Sequence, residues 1–311
     1  MTSYLEGKNA VVTGAGRGIG RATAIALAAE GVNVVVNDPG VARGGSGGDK
    51  APADEVVKEI EKMGGKAVAN YESVADFSAA GRIIKSCVDN FGRIDILINC
   101  AGVLVERMIF NMSPDEWDVV VKTHLYGAFS CCQHACVVMK EQRYGRIINM
   151  ISVAWKGALG QCNYAAAKGG MISLTRSIAR EMGRYNVTCN AVDPAAATRM
   201  TLDEGVKEGM RKRLESGLIT KEQYEAILDM PGPEGVPPLI LYLCTDQASH
   251  VSGSVFHSDA TRIFIYSEPM EDKFVLRDYK KEGVFTLEEL NKIMPQTLLA
   301  GYVSSAAPAK K

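Results

Sequence analysis

Short apolar runs rich in β-branched residues alternate along this chain with longer amphipathic segments. The apolar runs are almost continuous, which is typical of strands covered on both faces of a parallel sheet. The predicted strands are NAVVTG (9–14), VNVVVND (32–38), KAVANY (66–71), IDILINCAG (94–102), GRIINMIS (145–152), VTCNAVDP (187–194) and, as the last, GSVFHSD (253–259). Because right-handed crossovers connect such strand–helix units, the pattern predicts an α/β fold with one doubly wound parallel sheet and helices on both faces.

No long linker or internal repeat interrupts this alternation, so one domain is predicted for residues 1–266. Its one long loop, residues 198–235, follows the sixth strand. Residues 267–311 come after the predicted last strand and form a C-terminal extension. Within it, Thr286 and Glu289 have the spacing of a capping box and predict a short helix, and the final SSAAPAKK is expected to be disordered.

The composition excludes several classes of function. With 311 residues, 47% of them hydrophobic, the chain is long enough for a substantial core, and a formal net charge of −1 gives no electrostatic basis for binding nucleic acid or an anionic membrane. No apolar run approaches the roughly 20 residues of a membrane span, and the N-terminus lacks the pattern of a signal peptide. None of the eight cysteines forms a C-x-x-C pair and most lie in apolar contexts, so we expect a cytoplasmic protein with reduced thiols.

The segment CCQHAC holds Cys131, Cys132, His134 and Cys136. Cysteine and histidine are the side chains that bind zinc, but a helical spacing distributes these four around the helix. We therefore expect ordinary helix packing here and predict no metal site.

The segment TGAGRGIG lies between the first predicted strand and the first predicted helix. In this context its first glycine allows a tight turn, and its last two let the backbone approach a pyrophosphate at the N-terminus of the helix. The residues assigned to a dinucleotide are Gly14, Arg17, Gly18, Ile19 and Gly20.

A carboxylate follows at the distance expected of a nucleotide site. Asp38 ends the second predicted strand, where it can accept hydrogen bonds from both hydroxyls of an adenosine ribose and repel a 2′-phosphate. This favours NAD over NADP, although Asp38 could instead be a plain turn residue before Pro39. The glycine-rich stretch 40–48 is expected to be a flexible loop. At the end of the fourth strand, NCAG (99–102) has small residues that let a flat cofactor lie close or simply form a tight turn.

Tyr164 and Lys168 are separated by three alanines in the segment CNYAAAKGG (162–170). Four residues are about one helical turn, so the phenol and the ammonium lie on the same face, and a phenol beside a cation ionises more easily. The pair is either a surface pair or an acid–base catalyst.

Together these motifs resemble the short-chain dehydrogenase/reductase family over roughly residues 5–266. The resemblance rests on TGAGRGIG, NCAG, Ser152 and the Tyr164–Lys168 pair in this order. Finer features are similar to the (3R)-hydroxyacyl-CoA dehydrogenase domain of peroxisomal-type multifunctional enzymes and their bacterial relatives. These features are the glycine-rich insert, GGKAVANYESV (64–74), HLYGAF (124–129), GQCNYAAAKGG (160–170) and NAVDPAAATRMT (190–201).

The resemblance implies a Rossmann-type fold, NAD as cofactor, and a homodimer or homotetramer. It makes Tyr164 the general acid/base, with Lys168 lowering the pKa of the phenol and holding the nicotinamide ribose. Ser152 would hydrogen-bond the substrate oxygen. Further implied cofactor contacts are Ser73 and Val74 at the adenine, Asn99 near the adenosine ribose, Ala101 and Gly102 in NCAG, and Val192, Pro194 and Thr198 on the nicotinamide side. The prediction is an NAD-dependent short-chain alcohol dehydrogenase.

The sequence departs from the family pattern in three ways. His124 stands where most members have Asn, and it is assigned to the catalytic group as part of a proton relay behind Lys168 or, alternatively, as a packing residue. Ser152 lies twelve residues before Tyr164 instead of the usual thirteen, which places the missing residue in the loop VAWKGALG. The remaining replacements are Cys100 for Asn and Ala195 for Gly.

The long loop 198–235 is expected to cover the substrate. Its cations could meet the phosphates of a CoA thioester; they are Arg199, Lys207, Arg211, Lys212 and Arg213. Glutamates are interleaved with them, so a solvated amphipathic helix is the alternative. The expected reaction is hydride transfer between NAD(H) and a 3-hydroxyacyl-CoA or 3-oxoacyl-CoA. A dehydrogenase of a non-CoA alcohol, such as a steroid or cyclic alcohol, and a catalytically silent NAD-binding subunit stay open.

Overall fold

Within the residues that the computed structural model describes, 3–198, 204–217 and 219–303, an eight-stranded sheet forms the centre of one compact unit, Met1–Tyr266. The strands are β1 (Asn9–Thr13), β2 (Asn33–Asn37), β3 (Ala67–Asn70), β4 (Ile96–Asn99), β5 (Gly145–Met150), β6 (Val187–Pro194), β7 (Val255–Ser258) and β8 (Ile263–Ile265). Their order in the sheet is β3-β2-β1-β4-β5-β6-β7-β8. The order reverses between β1 and β4, which is where ligands bind in open α/β sheets.

The strands from β1 to β7 are parallel, as predicted, but the prediction that the seventh strand is the last was wrong. Strand β8 pairs antiparallel with β7, with Phe256 opposite Ile265. The turn between them is held by Asp259, whose Oδ1 accepts the N–H of Thr261 (2.7 Å) and of Arg262 (2.6 Å). The three residues of strand β8 are apolar but exposed, so this strand lies outside the buried core that the other strands form.

Helices cover both faces of the sheet and confirm the predicted doubly wound fold. In this unit they are α1 (Gly18–Ala29), α2 (Ala51–Lys62), α3 (Phe77–Phe91), α4 (Pro114–Val121), α5 (Gly127–Gln142), α6 (Cys162–Met182), α7 (Glu204–Glu215), α8 (Lys221–Leu228) and α9 (Pro237–Cys244). One apolar core lies between the sheet and α1, α2 and α9, and a second lies between the sheet and α3, α5 and α6. Successive β1 residues Val11 and Val12 enter opposite cores, which is why the strands read as continuous apolar runs.

The long helix predicted after the fourth strand is interrupted. A π-helical turn, Lys122–Tyr126, separates α4 from α5. Ser113 and Glu116 form a capping box that opens α4. Single π-helical turns are frequent at functional sites, because the extra residue redirects the side chains within the turn. His124 lies in this one.

The second compact unit is Ser267–Lys311. It contains two short helices, α10 (Tyr279–Glu282) and α11 (Leu287–Ile293). The capping box predicted for α11 is confirmed: the Glu289 N–H donates to Thr286 Oγ1 (3.2 Å) and the Thr286 N–H donates to Glu289 Oε2 (2.7 Å). The tail SSAAPAKK lies outside the described residues. Among the helices described in the chain, none is long and apolar enough to cross a membrane.

Candidate active site

A cleft of about 480 Å³ opens at the carboxyl ends of the parallel strands, beside the point where the strand order reverses. Nearly all residues assigned to the catalytic or cofactor site from the sequence line it. They are Gly14, Arg17, Gly18, Ile19, Gly20, Asp38, Ser73, Val74, Ala101, Gly102, His124, Ser152, Tyr164, Lys168, Pro194 and Thr198. Asn99 does not line the cleft, and neither does Val192, which is fully buried in the sheet. The fold therefore brings segments from six strands to one edge of the sheet.

The glycine-rich turn after β1 is built on very close backbone contacts. Gly14 has a positive φ of 64°, and a Cβ added to it would lie 2.7 Å from the Cα of Ala101. A Cβ added to Gly20 would lie 2.2 Å from the carbonyl oxygen of Gly14. Since only glycine fits at these positions, the first turn of α1 can approach the cleft with its unpaired N–H groups. This arrangement fits the pyrophosphate of a dinucleotide.

Asp38 follows β2 and is held by backbone N–H groups on both sides. Its Oδ2 accepts from the Gly16 N–H (2.8 Å) and its Oδ1 from the Gly40 N–H (2.7 Å). The carboxylate is therefore fixed at the rim of the cleft and keeps lone pairs for the hydroxyls of a ribose. The two interpretations of Asp38 are compatible, because the residue organises a turn and also presents a negative charge to the cleft.

Three side chains of the expected catalytic group meet at the other end of the cleft. Ser152 and Tyr164 line the same part of the cleft, and hydrogen bonding from the Ser152 hydroxyl lowers the pKa of the Tyr164 phenol. The Lys168 Nζ lies 5.4 Å from the centre of the Tyr164 ring and donates to the carbonyl oxygen of Met150 (2.5 Å). Met150 ends β5 and Ser152 follows two residues later, so the carboxyl end of β5 positions the first turns of α6. The Tyr–Lys pair is not a solvated surface pair, because Lys168 is buried.

Burial, rather than the neighbouring cation, has the largest effect on the phenol. Desolvation raises the pKa of Tyr164 to about 12, although the hydrogen bond from Ser152 opposes this shift. Desolvation also lowers the pKa of Lys168 to about 8. From the sequence, Lys168 was predicted to lower the pKa of Tyr164. The protein groups alone instead keep the phenol protonated at neutral pH, since moving a charge out of water is unfavourable.

His124 lies beside Tyr164, with its ring edge against the phenol ring at a centroid distance of 5.0 Å. Its Nε2 lies 2.8 Å from the Val103 carbonyl oxygen and 3.1 Å from the Val103 amide nitrogen. Burial and then the Lys168 charge lower the pKa of His124, so the imidazole is neutral. Nδ1 is buried and has no hydrogen-bond partner among the described residues. Gly102 is required here, because a Cβ on it would lie 2.4 Å from His124 Cε1.

Asn99 belongs to a buried polar network beneath the cleft. Its Nδ2 donates to Asn149 Oδ1 (2.8 Å), and Asn149 Nδ2 donates to Thr175 Oγ1 (2.9 Å). The network joins β4, β5 and α6, so the Asn99 side chain supports the sheet edge rather than reaching the adenosine ribose region. The CCQHAC segment also packs: Cys131 and Cys132 are buried, and His134 Nε2 is 3.0 Å from the Phe77 carbonyl oxygen. No metal-binding group of three or more such side chains occurs within the described residues.

Sequence reasoning missed a cluster around Glu106, which follows the cleft residue Val103 by three positions and contacts Gln161, three positions before Tyr164. Glu106 Oε1 accepts from Gln161 Nε2 (2.8 Å), Glu106 Oε2 accepts from Arg43 Nη2 (3.0 Å), and Arg213 Nη2 lies 3.5 Å from Oε1. Burial raises the pKa of Glu106, but the bonds from Gln161 and Arg43 outweigh it and lower the pKa overall. The cluster connects the glycine-rich stretch, the loop after β4, the start of α6, and α7. The four residues are far apart in the sequence, so no local pattern could predict it.

The segment after β6 forms α7 and α8 rather than an open loop. On α7, Arg211 pairs with Glu208 and Glu215 (both 2.8 Å), and Lys212 lies 3.6 Å from Glu208. Arg199 lies outside the described residues. Arg211, Lys212 and Arg213 on α7 therefore have carboxylate partners close by, as expected for the amphipathic helix that was the alternative to a phosphate site.

Comparisons with known proteins agree with this geometry. The profile described as short chain dehydrogenase matches residues 8–208. The chain is 41% identical over 256 residues to the peroxisomal multifunctional enzyme type 2 of Drosophila melanogaster, covering 82% of this chain and 39% of that protein. It is 38% identical over 283 residues to the hydroxyacyl-CoA dehydrogenase ChsB1 of Mycobacterium tuberculosis, covering 88% of this chain and 84% of that protein. A crystal structure of a short chain dehydrogenase from Mycobacterium avium superposes with a TM-score of 0.79 at 38% identity, covering 95% of this chain and 96% of the other.

Proposed function

This chain belongs to the short-chain dehydrogenase family, and we propose that it transfers a hydride between NAD(H) and a 3-hydroxyacyl-CoA or 3-oxoacyl-CoA type of substrate. The family makes the protein an oxidoreductase, and the expected resemblance to peroxisomal multifunctional enzymes is confirmed by the 41% identity to one of them. The observation that carries the proposal is that Ser152, Tyr164 and Lys168 line the same cleft as the glycine-rich turn, with the Lys168 Nζ 5.4 Å from the centre of the Tyr164 ring.

Tyr164 transfers the proton that accompanies the hydride. When bound, NAD supplies the carbon that accepts or donates the hydride. In alcohol oxidation, the substrate hydroxyl loses its proton to the Tyr164 phenolate while a hydride leaves the same carbinol carbon, and a carbonyl forms. In ketone reduction, the Tyr164 phenol donates a proton to the carbonyl oxygen as the hydride arrives. Because burial keeps the phenol protonated at neutral pH, the reductive direction begins from the form that is already present.

The neighbours of Tyr164 have separate roles in this proposal. Ser152 orients the substrate oxygen, since it lines the cleft together with the phenol to which that oxygen must be presented. Lys168 supplies positive charge beside the phenolate and a donor for the nicotinamide ribose. His124 is a neutral imidazole whose Nδ1 is buried and has no hydrogen-bond partner among the described residues, which favours a relay position behind Lys168 over simple packing.

NAD fits the cleft better than NADP because of Asp38. Its carboxylate is fixed by two backbone N–H groups and cannot turn away from a 2′-phosphate without breaking both bonds. The test is the ratio of kcat/KM for NAD to kcat/KM for NADP in the wild type and in Asp38→Ala. A loss of a charge-assisted hydrogen bond, worth about 1.5–3 kcal/mol, predicts a fall of about tenfold or more in that ratio. A wild type that uses NADP as well as NAD would contradict the assignment.

The substrate class rests on the relatives, one of which is named a hydroxyacyl-CoA dehydrogenase. A non-CoA secondary alcohol, such as a steroid or cyclic alcohol, is the alternative. It is favoured by one observation, which is that Arg211, Lys212 and Arg213 on the substrate side all have carboxylate partners. Cations that are already paired offer less to the phosphates of CoA.

The experiment is a substrate panel followed at the NADH absorbance band. The panel contains 3-hydroxyacyl-CoAs of several chain lengths, the same acids without CoA, steroids and cyclic alcohols, each with the wild type and with Tyr164→Phe. Turnover confined to the CoA thioesters and lost in the variant supports the proposal. Turnover of a free alcohol alone supports the alternative, whereas NAD binding without turnover of any substrate supports a silent subunit.

We also propose that the protein is a homodimer or homotetramer. Tyr126 at the end of the π-helical turn and Phe129 and Val137 on α5 are large apolar side chains that are 41–56% exposed. A helix face of this kind is typical of a contact between subunits. Light scattering at micromolar concentration tests the assembly, and a monomer would contradict it.

A further inference from the structure

His257 on β7 is buried between two carboxylates. Its Nδ1 lies 3.2 Å from Asp193 Oδ2 and its Nε2 lies 3.2 Å from Asp259 Oδ2. All three residues are nearly inaccessible to solvent, with relative exposures of 7%, 2% and 8% for His257, Asp193 and Asp259. The ring of Phe264 stacks on the imidazole at a centroid distance of 4.5 Å. These three ionisable side chains are therefore almost completely excluded from water.

Each ring nitrogen of His257 faces a carboxylate oxygen, and this arrangement favours one protonation state of the imidazole. A neutral imidazole donates from one nitrogen only, so its other nitrogen would direct a lone pair at a carboxylate oxygen in a buried site. A doubly protonated ring donates to both carboxylates. The other groups that face this site are Tyr266, whose hydroxyl donates to Asp193 Oδ2 (2.6 Å), and Arg262, whose Nη2 lies 3.3 Å from Asp259 Oδ2. Neither of these removes the need for a proton on both ring nitrogens.

The buried group lies directly behind the catalytic residues. Asp193 immediately precedes Pro194, which lines the cleft. Its neighbour Val192 is paired in the sheet with Met150, whose carbonyl oxygen accepts the Lys168 ammonium. A second connection runs through Tyr266, whose ring packs edge to face on the Trp155 ring at a centroid distance of 5.6 Å. Trp155 follows Ser152 by three residues.

The charge of Asp193 acts on both members of the catalytic pair. After burial, it is one of the charges that raise the pKa of Tyr164. It also opposes the effect of burial on Lys168 by raising the pKa of that residue. A positive group next to Asp193 must weaken the effect of Asp193 on the pKa of both residues, because opposite charges that lie side by side offset each other at a distance.

We propose that His257 is a buried imidazolium that offsets the charge of Asp193 and thereby acts as a positioning residue for the Ser152–Tyr164–Lys168 site. The catalytic part of this inference rests on the proposed function, whereas the charge of His257 does not. The buried group consists of the Asp193 and Asp259 carboxylates and the His257 imidazolium, and the exposed Arg262 guanidinium lies against Asp259. Lys156 is a further cation nearby, with its Nζ 4.5 Å from the centre of the Tyr266 ring.

The first test compares two variants that should have opposite effects. His257→Gln keeps a donor but removes the positive charge, so the acid limb of alcohol oxidation should move alkaline. Asp193→Asn removes the negative charge, so the same limb should move acid. A purely structural role would lower turnover or thermal stability in both variants without opposite shifts. Shifts in the same direction, or none, would overturn the catalytic part.

The second test does not depend on turnover. The full-length protein is labelled with ¹⁵N-histidine, and its four histidines are assigned with His134→Gln and His250→Gln, which are far from the buried group, and by comparison with His257→Gln if that variant folds. At neutral pH, both ring nitrogens of His257 should carry a proton in the nitrogen–proton correlation spectrum. A single protonated ring nitrogen would overturn the proposal. If the substrate panel fails but two protons are found, the proposed function is wrong and the charge of His257 stands.

Discussion

Around the glycine-rich turn of the cleft the closest contacts are between backbone atoms, whereas around Glu106 they are between partly exposed side chains. A Cβ on Gly20 would overlap the Gly14 carbonyl oxygen, at 2.2 Å. By contrast, Glu106 and its two arginines are each 27–30% exposed. Backbone overlap cannot be relieved by a change of rotamer, but exposed ion pairs contribute little and are easily rearranged. The glycine-rich turn therefore tolerates little change, and the Glu106 cluster can vary.

The largest effect is expected in the same cleft as the glycine-rich turn, at Tyr164. Tyr164→Phe removes only the hydroxyl, so turnover should fall by about 10²–10⁴-fold while NADH affinity is retained. Steady-state kinetics and titration of NADH fluorescence measure the two quantities separately. Tyr242→Phe is the matched control, because that tyrosine is half-exposed on α9, away from the cleft. Near-normal turnover in Tyr164→Phe would show that this site is not the catalyst.

The next largest effect tests the rigidity of the glycine-rich turn. Gly20→Ala places a methyl group against the Gly14 carbonyl, and overpacking of about 1–3 kcal/mol predicts roughly tenfold to hundredfold weaker NADH binding. Gly209→Ala on α7 is the control, since a Cβ there meets nothing within 4 Å. That substitution should leave NADH affinity unchanged and stabilise the helix by up to about 1 kcal/mol. Equal NADH affinities in the two variants would show that the glycine-rich turn tolerates a side chain as well as the surface of α7 does.

The pH dependence distinguishes the two ionisable groups of the catalytic pair. Burial lowers the pKa of Lys168 to about 8 and raises that of Tyr164 to about 12. Ketone reduction needs the phenol protonated and the lysine charged, so its rate should be constant below about pH 8 and fall as the pH rises through that value. Lys168→Arg keeps its charge at high pH, so the limb should disappear even if turnover is lower. A limb that persists unchanged in Lys168→Arg would assign it to another group.

The smallest effect is expected at the Glu106 cluster. Glu106→Gln keeps a hydrogen-bonding side chain but weakens the pairs with Arg43 and Arg213, each worth about 0.2–1 kcal/mol at partial exposure. KM for the substrate should rise a few-fold while kcat stays within about twofold. Glu141→Gln, at an exposed pair with Lys140 on α5, is the control and should change neither. A loss of turnover comparable to that in Tyr164→Phe would mean that the Glu106 cluster is as constrained as the glycine-rich turn.

The features that could be predicted from the sequence are those that depend on neighbours within a few residues. Continuous apolar strands, the TGAGRGIG turn, the capping box at Thr286 and the one-turn spacing of Tyr164 and Lys168 are local patterns with direct physical causes. The position of Asp38 follows from the end of a strand. These patterns were sufficient for the doubly wound fold and for most of the residues that line the cleft.

The remaining features of the site depend on residues that are distant in the sequence, because the fold determines which side chains are buried and which charges lie close together. Asn99 is bound to Asn149 beneath the cleft, although its place in NCAG predicted a contact with the cofactor. The pKa of Tyr164 rises because desolvation outweighs the hydrogen bonding from Ser152. His257 stands in an ordinary strand segment, and only the pairing of β6 with β7 and the turn into β8 place it between Asp193 and Asp259. A sequence lists the ionisable groups of a protein, but their energies depend on distances and solvent exclusion that exist only in the folded chain.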